Sequence, residues 1–106
     1  MAQERTQLQS LLEALMESLD LEKNVYFQPP SNLVMNYPCI RYERDDSQVR
    51  HANNRLYLHT KRYQVTVIDR NPDSQLPDKV IELPMCAFDR FYVADGLNHH
   101  VFNLFF

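Results

Sequence analysis

Four histidines, two cysteines and a few neighbouring carboxylates are the groups of this chain that could do chemistry. His99 and His100 are the adjacent pair. Neighbours on a strand point to opposite faces, so the two imidazoles cannot chelate one ion in regular geometry, and a solvated hairpin end is their expected place. His51 and His59 stand alone. Cys39 and Cys86 lie far apart with no CxxC spacing, which reads as two reduced, buried thiols. Ser47 beside Asp45 has parts of a triad but no surrounding motif. Asp45 with Asp46, and Asp89 with Asp95, are the nearest approach to paired carboxylates, and surface acids explain them. A small metal-binding or hydrolytic enzyme using His99, Cys86 or Asp89 is therefore the competing function class and not the expected one. No catalytic residue, cofactor or metal is assigned.

Composition narrows the partners. With one glycine in 106 residues, the glycine-rich phosphate loops of nucleotide binders are absent. The formal charge of −3 and the lack of a basic run argue against tight duplex binding, which depends on phosphate neutralisation. Arg55, Lys61 and Arg62, the densest basic cluster, read as a solvated strand edge. No apolar run approaches the ~20 residues of a membrane span. Glu4, Arg5 and Glu13 interrupt the N-terminal segment, so no signal peptide is expected there, and the protein is expected to be made in a cytoplasm. A 44% hydrophobic chain of this length suits one folded domain over 1–106.

The scaffold reads from periodicity. Tyr63 to Asp69 alternates Tyr63, Val65 and Val67 against Gln64, Thr66 and Ile68, which predicts a central strand. The polar run Asp69 to Ser74 ends it with turn chemistry. Leu8, Leu11, Leu12, Leu15, Met16 and Leu19 form the stripe of a helix of about four turns. Val25 to Gln28 is a short extended piece, and Tyr37 to Glu43 is a strand with Pro38 at its start. A second short helix is signalled by Asp73 or Ser74 as cap, Pro77 in its first turn, Val80, Ile81 and Leu83 as its apolar face, and Pro84 as its close. Phe88 to Ala94 and Val101 to Phe106 flank Asp95-Gly96-Leu97-Asn98 as a hairpin. The predicted fold is α+β: a two-layer sandwich with an antiparallel-rich sheet of four to five strands. The N-terminal amphipathic helix and the second short helix lie on one face. Between strands, Arg44 to Asn54 is a long polar arm of the kind that is usually functional or mobile.

Several segments together resemble the small tail-terminator proteins of long-tailed bacteriophages, also described as tail completion or minor capsid proteins. They are Val25-Tyr26-Phe27-Gln28-Pro29-Pro30, Tyr37 to Tyr42, Tyr63 to Ser74, Leu83-Pro84 and Phe88 to Phe102. The similarity runs from about residue 25 to the end, and the first helix agrees in pattern alone. It implies a structural virion protein, assembled in the bacterial host cytoplasm. Such a protein forms a hexameric ring that caps the head-proximal end of the tail tube and meets head-completion or stopper proteins. DNA would pass through without specific binding, and no membrane is involved. A head-completion or stopper connector is the nearest alternative.

Contact residues follow from surface character. Arg44, Asp45, Asp46, Gln48, Arg50, His51, Asn53 and Asn54 on the arm are expected to touch neighbouring subunits or the tube. Asp95, Asn98, His99 and His100 at the hairpin tip, with Phe105 and Phe106 at the end, are the expected subunit interface. A head-to-tail ring needs two different patches, so both sets can serve at once.

Overall fold

The computed structural model describes residues 5–45 and 61–106. The leucine stripe forms α1, Arg5–Ser18, with Leu8, Leu12 and Met16 fully buried and Leu11, Leu15 and Leu19 packed at their margin. Its end is built by Asp20, which takes a left-handed φ of 60°. That turn lets the Leu21 N–H reach the Met16 carbonyl and the Asp20 N–H reach that of Glu17, so the last carbonyls of the helix are satisfied.

Five strands follow among the described residues: β1 (Val25–Phe27), β2 (Cys39–Arg44), β3 (Arg62–Asp69), β4 (Cys86–Ala94) and β5 (Leu97–Phe105). They lie side by side in the order β1-β2-β3-β5-β4. β3 is central, as its alternation predicts. β1 runs parallel to β2 and the other pairs are antiparallel, so the sheet is mixed and antiparallel-rich.

Register decides which face each side chain serves. Ile40 and Tyr42 of β2, Val65 and Val67 of β3, and Phe102 and Leu104 of β5 form one core with the α1 stripe. The short helix α2, Leu76–Ile81, adds Leu76 and Val80 to the same core. Both helices therefore cover one face. A polar anchor sets α1 on the sheet: the Tyr42 hydroxyl donates to Gln9 Oε1 at 2.6 Å and accepts from Arg5 at 3.3 Å. Gln9 in turn donates to the Val25 carbonyl at 3.2 Å. Cys39, Thr66, Ile68 and Val101 are buried on the opposite face.

The turn after β3 is held by short side chains. Asp69 Oδ1 accepts the Asn71 N–H and Asn71 Oδ1 accepts the Asp73 N–H, both at 2.9 Å. Pro77 sits in the first turn of α2, but the N-cap is Gln75, without a side-chain cap. Ser74 still contributes, because its hydroxyl accepts the Leu76 N–H at 3.2 Å.

Three local expectations are corrected. The hairpin turn is only Asp95-Gly96, both at positive φ (54° and 73°), a mirror-image turn that fits the strand twist. His99 and His100 consequently lie inside β5, not on a solvated hairpin end. Arg62 belongs to the central strand, where its guanidinium stands 3.9 Å from the Asp45 carboxylate, so it is not part of an exposed edge.

Candidate assembly interface

β4 is the unusual element. Eight of its nine residues pair with β5 on one side, Asp89 being skipped at a bulge, and no described strand lies on the other. α1 lies away from it, and α2 touches it without covering its apolar side chains. Phe88, Phe91 and Val93, on the helix side by their register with Phe102, His100 and Asn98, remain 53%, 48% and 59% exposed. Tyr92 is exposed on the reverse face. A soluble chain normally protects such an edge with lysine, proline or a covering element. Here its two charges, Asp89 and Arg90, neutralise each other at 2.7 Å. The register shift between Phe88 and Arg90 bends the strand locally.

The backbone of this edge is also open. The Phe105 N–H donates to the Met85 carbonyl at 3.1 Å, which makes Cys86 and Leu104 a pair without mutual hydrogen bonds. The antiparallel alternation then turns the N–H and C=O groups of Phe88, Phe91 and Val93 away from β5. Backbone groups that no described strand pairs and bare apolar side chains coincide on the same residues.

Beside this edge runs an open groove of about 220 Å³ lined by Pro77, Asp78, Ile81, Phe88, His100 and Phe102. His100 leans on Phe91 with ring centroids 4.8 Å apart. Its Nδ1 is buried and lacks a hydrogen-bond partner. Burial lowers its pKa from the ordinary 6.5; the Asp78 and Asp69 carboxylates oppose that shift and His99 adds to it. His99 faces the other way and stacks on Tyr92 at 4.5 Å, so the pair is divided between the two faces.

The expected interface residues separate along the sheet. Asp95 is exposed in the turn, whereas Asn98 is buried and donates to the carbonyls of Asp69 and Arg70 at 3.1 and 3.3 Å. Phe105 and Phe106 lie at the opposite end, half-buried, with Phe106 packed on the core and its backbone paired to Lys61. That end also holds the root of the arm: Arg62 pairs with Phe105 in register, and the Asp45 N–H donates to the Arg62 carbonyl at 2.8 Å. The Arg44 N–H donates to Gln28 Oε1 at 3.2 Å. Asp46, Gln48, Arg50, His51, Asn53 and Asn54 lie outside the described residues, as do Ser47, Arg55 and His59. The exposed apolar side chains of β4 were not among the expected contacts. Their signal was present, since Phe88, Phe91 and Val93 cannot all be buried by a helix layer only two elements wide.

Of the two thiols, Cys39 is buried as expected and Cys86 is only half-buried. Both cysteines are free. Burial pushes the Cys39 thiol up to about 12 and the Cys86 thiol up to about 11. Among the described residues, no cluster of three or more His, Cys, Asp or Glu side chains is placed to hold a metal ion, and no helix is long and apolar enough to cross a membrane. A second depression, about 280 Å³ between Leu19, Leu21 and the Asp69 to Gln75 turn, is polar, and its Asp69 and Asn71 oxygens accept backbone N–H groups of the turn itself. Compared with protein-family models, curated proteins and solved structures, the chain matches none of them.

Proposed function

We propose that this protein is a structural subunit of a long-tailed phage. Copies of it, six by the resemblance of its segments to tail terminators, form a ring on the head-proximal end of the tail tube and join the tail to head-completion proteins. The observation that supports an assembly role is β4, an edge strand among the described residues, with Phe88, Phe91 and Val93 about half exposed and outer backbone groups that no described strand pairs. Such an edge in a chain of this size is a docking element or an aggregation hazard, and a neighbouring subunit removes the hazard. The acidic balance of −3 per chain agrees with a conduit that lets DNA pass without holding its phosphates. A stopper or head-completion connector would use the same kind of edge.

Tail tubes assembled without heads separate the two. A terminator binds their open end and stops further growth, and a connector does not. Uncapped tubes in the presence of folded protein would rule the terminator reading out.

A further inference from the structure

The sheet carries two bare apolar patches on opposite edges. One is the β4 edge with its groove. The other is on the crossover between β1 and β2, where Val34 is 84% and Leu33 42% exposed. The edge strands β1 and β4 that flank them are four inter-strand steps, about 19 Å, apart. We infer that they are the two halves of one head-to-tail contact: Leu33 and Val34 of one copy seat in the groove of Ile81, Phe88 and Phe102 beside β4 of the next. This rests on the ring reading above and names the surface that would close the ring.

Three observations carry it. First, the crossover is held in place and not loose. Pro29 and Pro30 stiffen it, the Leu33 N–H donates to the Pro30 carbonyl at 3.0 Å, and the Asn36 N–H donates to the Tyr26 hydroxyl at 3.1 Å. A preordered loop loses little entropy when it docks. Second, the chemistry of the two patches matches. From Gln28 to Pro38 there is no charged side chain, in a chain that is 24% charged. The groove is walled by Pro77, Ile81, Phe88 and Phe102, with His100 and the solvent-exposed Asp78 completing its lining, and the charges nearest on β4, Asp89 and Arg90, are already paired. A neutral apolar loop brings no charge of its own into such a groove. Third, the placement suits cyclic closure. A ring requires two different patches on opposite sides of the subunit, and a single self-complementary patch closes at a dimer. β1 cannot play the second part by strand pairing, because it has three residues and its Val25 carbonyl already accepts from Gln9.

Disulfide trapping tests the contact directly. Val34→Cys and Ile81→Cys are introduced together, and the protein is oxidised both free in solution and on tail tubes. Both are made in a Cys86→Ser background, because Cys86 is only half-buried on β4; the native Cys39 is buried, with its thiol raised to about 12, and stays unreactive. The expected result is a ladder at whole multiples of the subunit mass, reversed by reductant. A one-to-one mixture of the two single variants should give a dimer and nothing larger. The inference is overturned if the double variant yields no ladder under either condition. It is overturned equally if either single variant alone cross-links as well as the mixture, which would mean a self-complementary edge. Capping of tubes without the ladder would keep the terminator reading and remove this contact. A ladder without capping would do the reverse.

Discussion

Phe91 and His100 face each other across β4 and β5, with their rings 4.8 Å apart, beside the groove between α2 and the edge strand. The histidine is inside the groove, and the phenylalanine is half in solvent. This pair joins the folded core to the bare edge, and it reports on both.

Burial holds the His100 imidazole below its ordinary pKa of 6.5, with the nearby carboxylates only partly offsetting that effect. Above that pH the ring is neutral in folded and unfolded chains alike and adds no pH dependence. As pH falls through 6.5 the unfolded chain takes up its proton first, so stability drops, and the loss levels off below the folded-state pKa. Denaturant midpoints measured between pH 8 and 5 should decline more steeply for the native protein than for His100→Gln. Equal slopes would show that His100 is not buried as described.

Tyr42 has its hydroxyl between Gln9 and Arg5. Tyr42→Phe keeps the ring and strands the Gln9 carbonyl, at a cost of about 1–2 kcal/mol. Thermal denaturation checks this. Leu12→Ala, which empties a fully buried site on α1, should cost more, about 2–5 kcal/mol.

Gly96 stands at φ 73° with open space where a Cβ would go. Gly96→Ala therefore meets no clash and loses only backbone conformational energy, about 1–2 kcal/mol. It should fold with an unchanged circular dichroism spectrum and a lower unfolding midpoint. Asp95→Gly, which relieves the other positive φ in the turn, should not lower that midpoint.

Thiol reactivity should follow burial. With thiols raised to about 12 and about 11, neither Cys39 nor Cys86 should react quickly with a disulfide reagent at pH 8, and Cys86 should react first. Fast labelling of Cys39 in the folded protein would contradict its position on β2.

Local patterns in the sequence carried the elements, and long-range order withheld the interface. The leucine stripe, the alternation from Tyr63 to Asp69 and the lone glycine each act over a few residues, and each element appears where those residues place it. The order β1-β2-β3-β5-β4 follows from nothing local. For that reason β4 read simply as one arm of a hairpin, and its place at the edge did not show. Asn98 looked like a surface tip residue because asparagine favours turns. Closing the turn on Asp95 and Gly96 instead draws its amide inward to the carbonyls of Asp69 and Arg70. The extent of β4 was hidden as well, since Cys86 and Ala87 have little strand character and pair through β5.

The most direct measurement of the assembly account compares the native protein with Phe91→Asp on tail tubes assembled without heads, by electron microscopy with subunit counting. Phe91 is exposed, so the variant should fold and melt near the native temperature. The account predicts a ring of native subunits on one end of each tube and bare ends with the variant. Rings of Phe91→Asp as frequent as native ones, or native protein absent from tube ends, would contradict it.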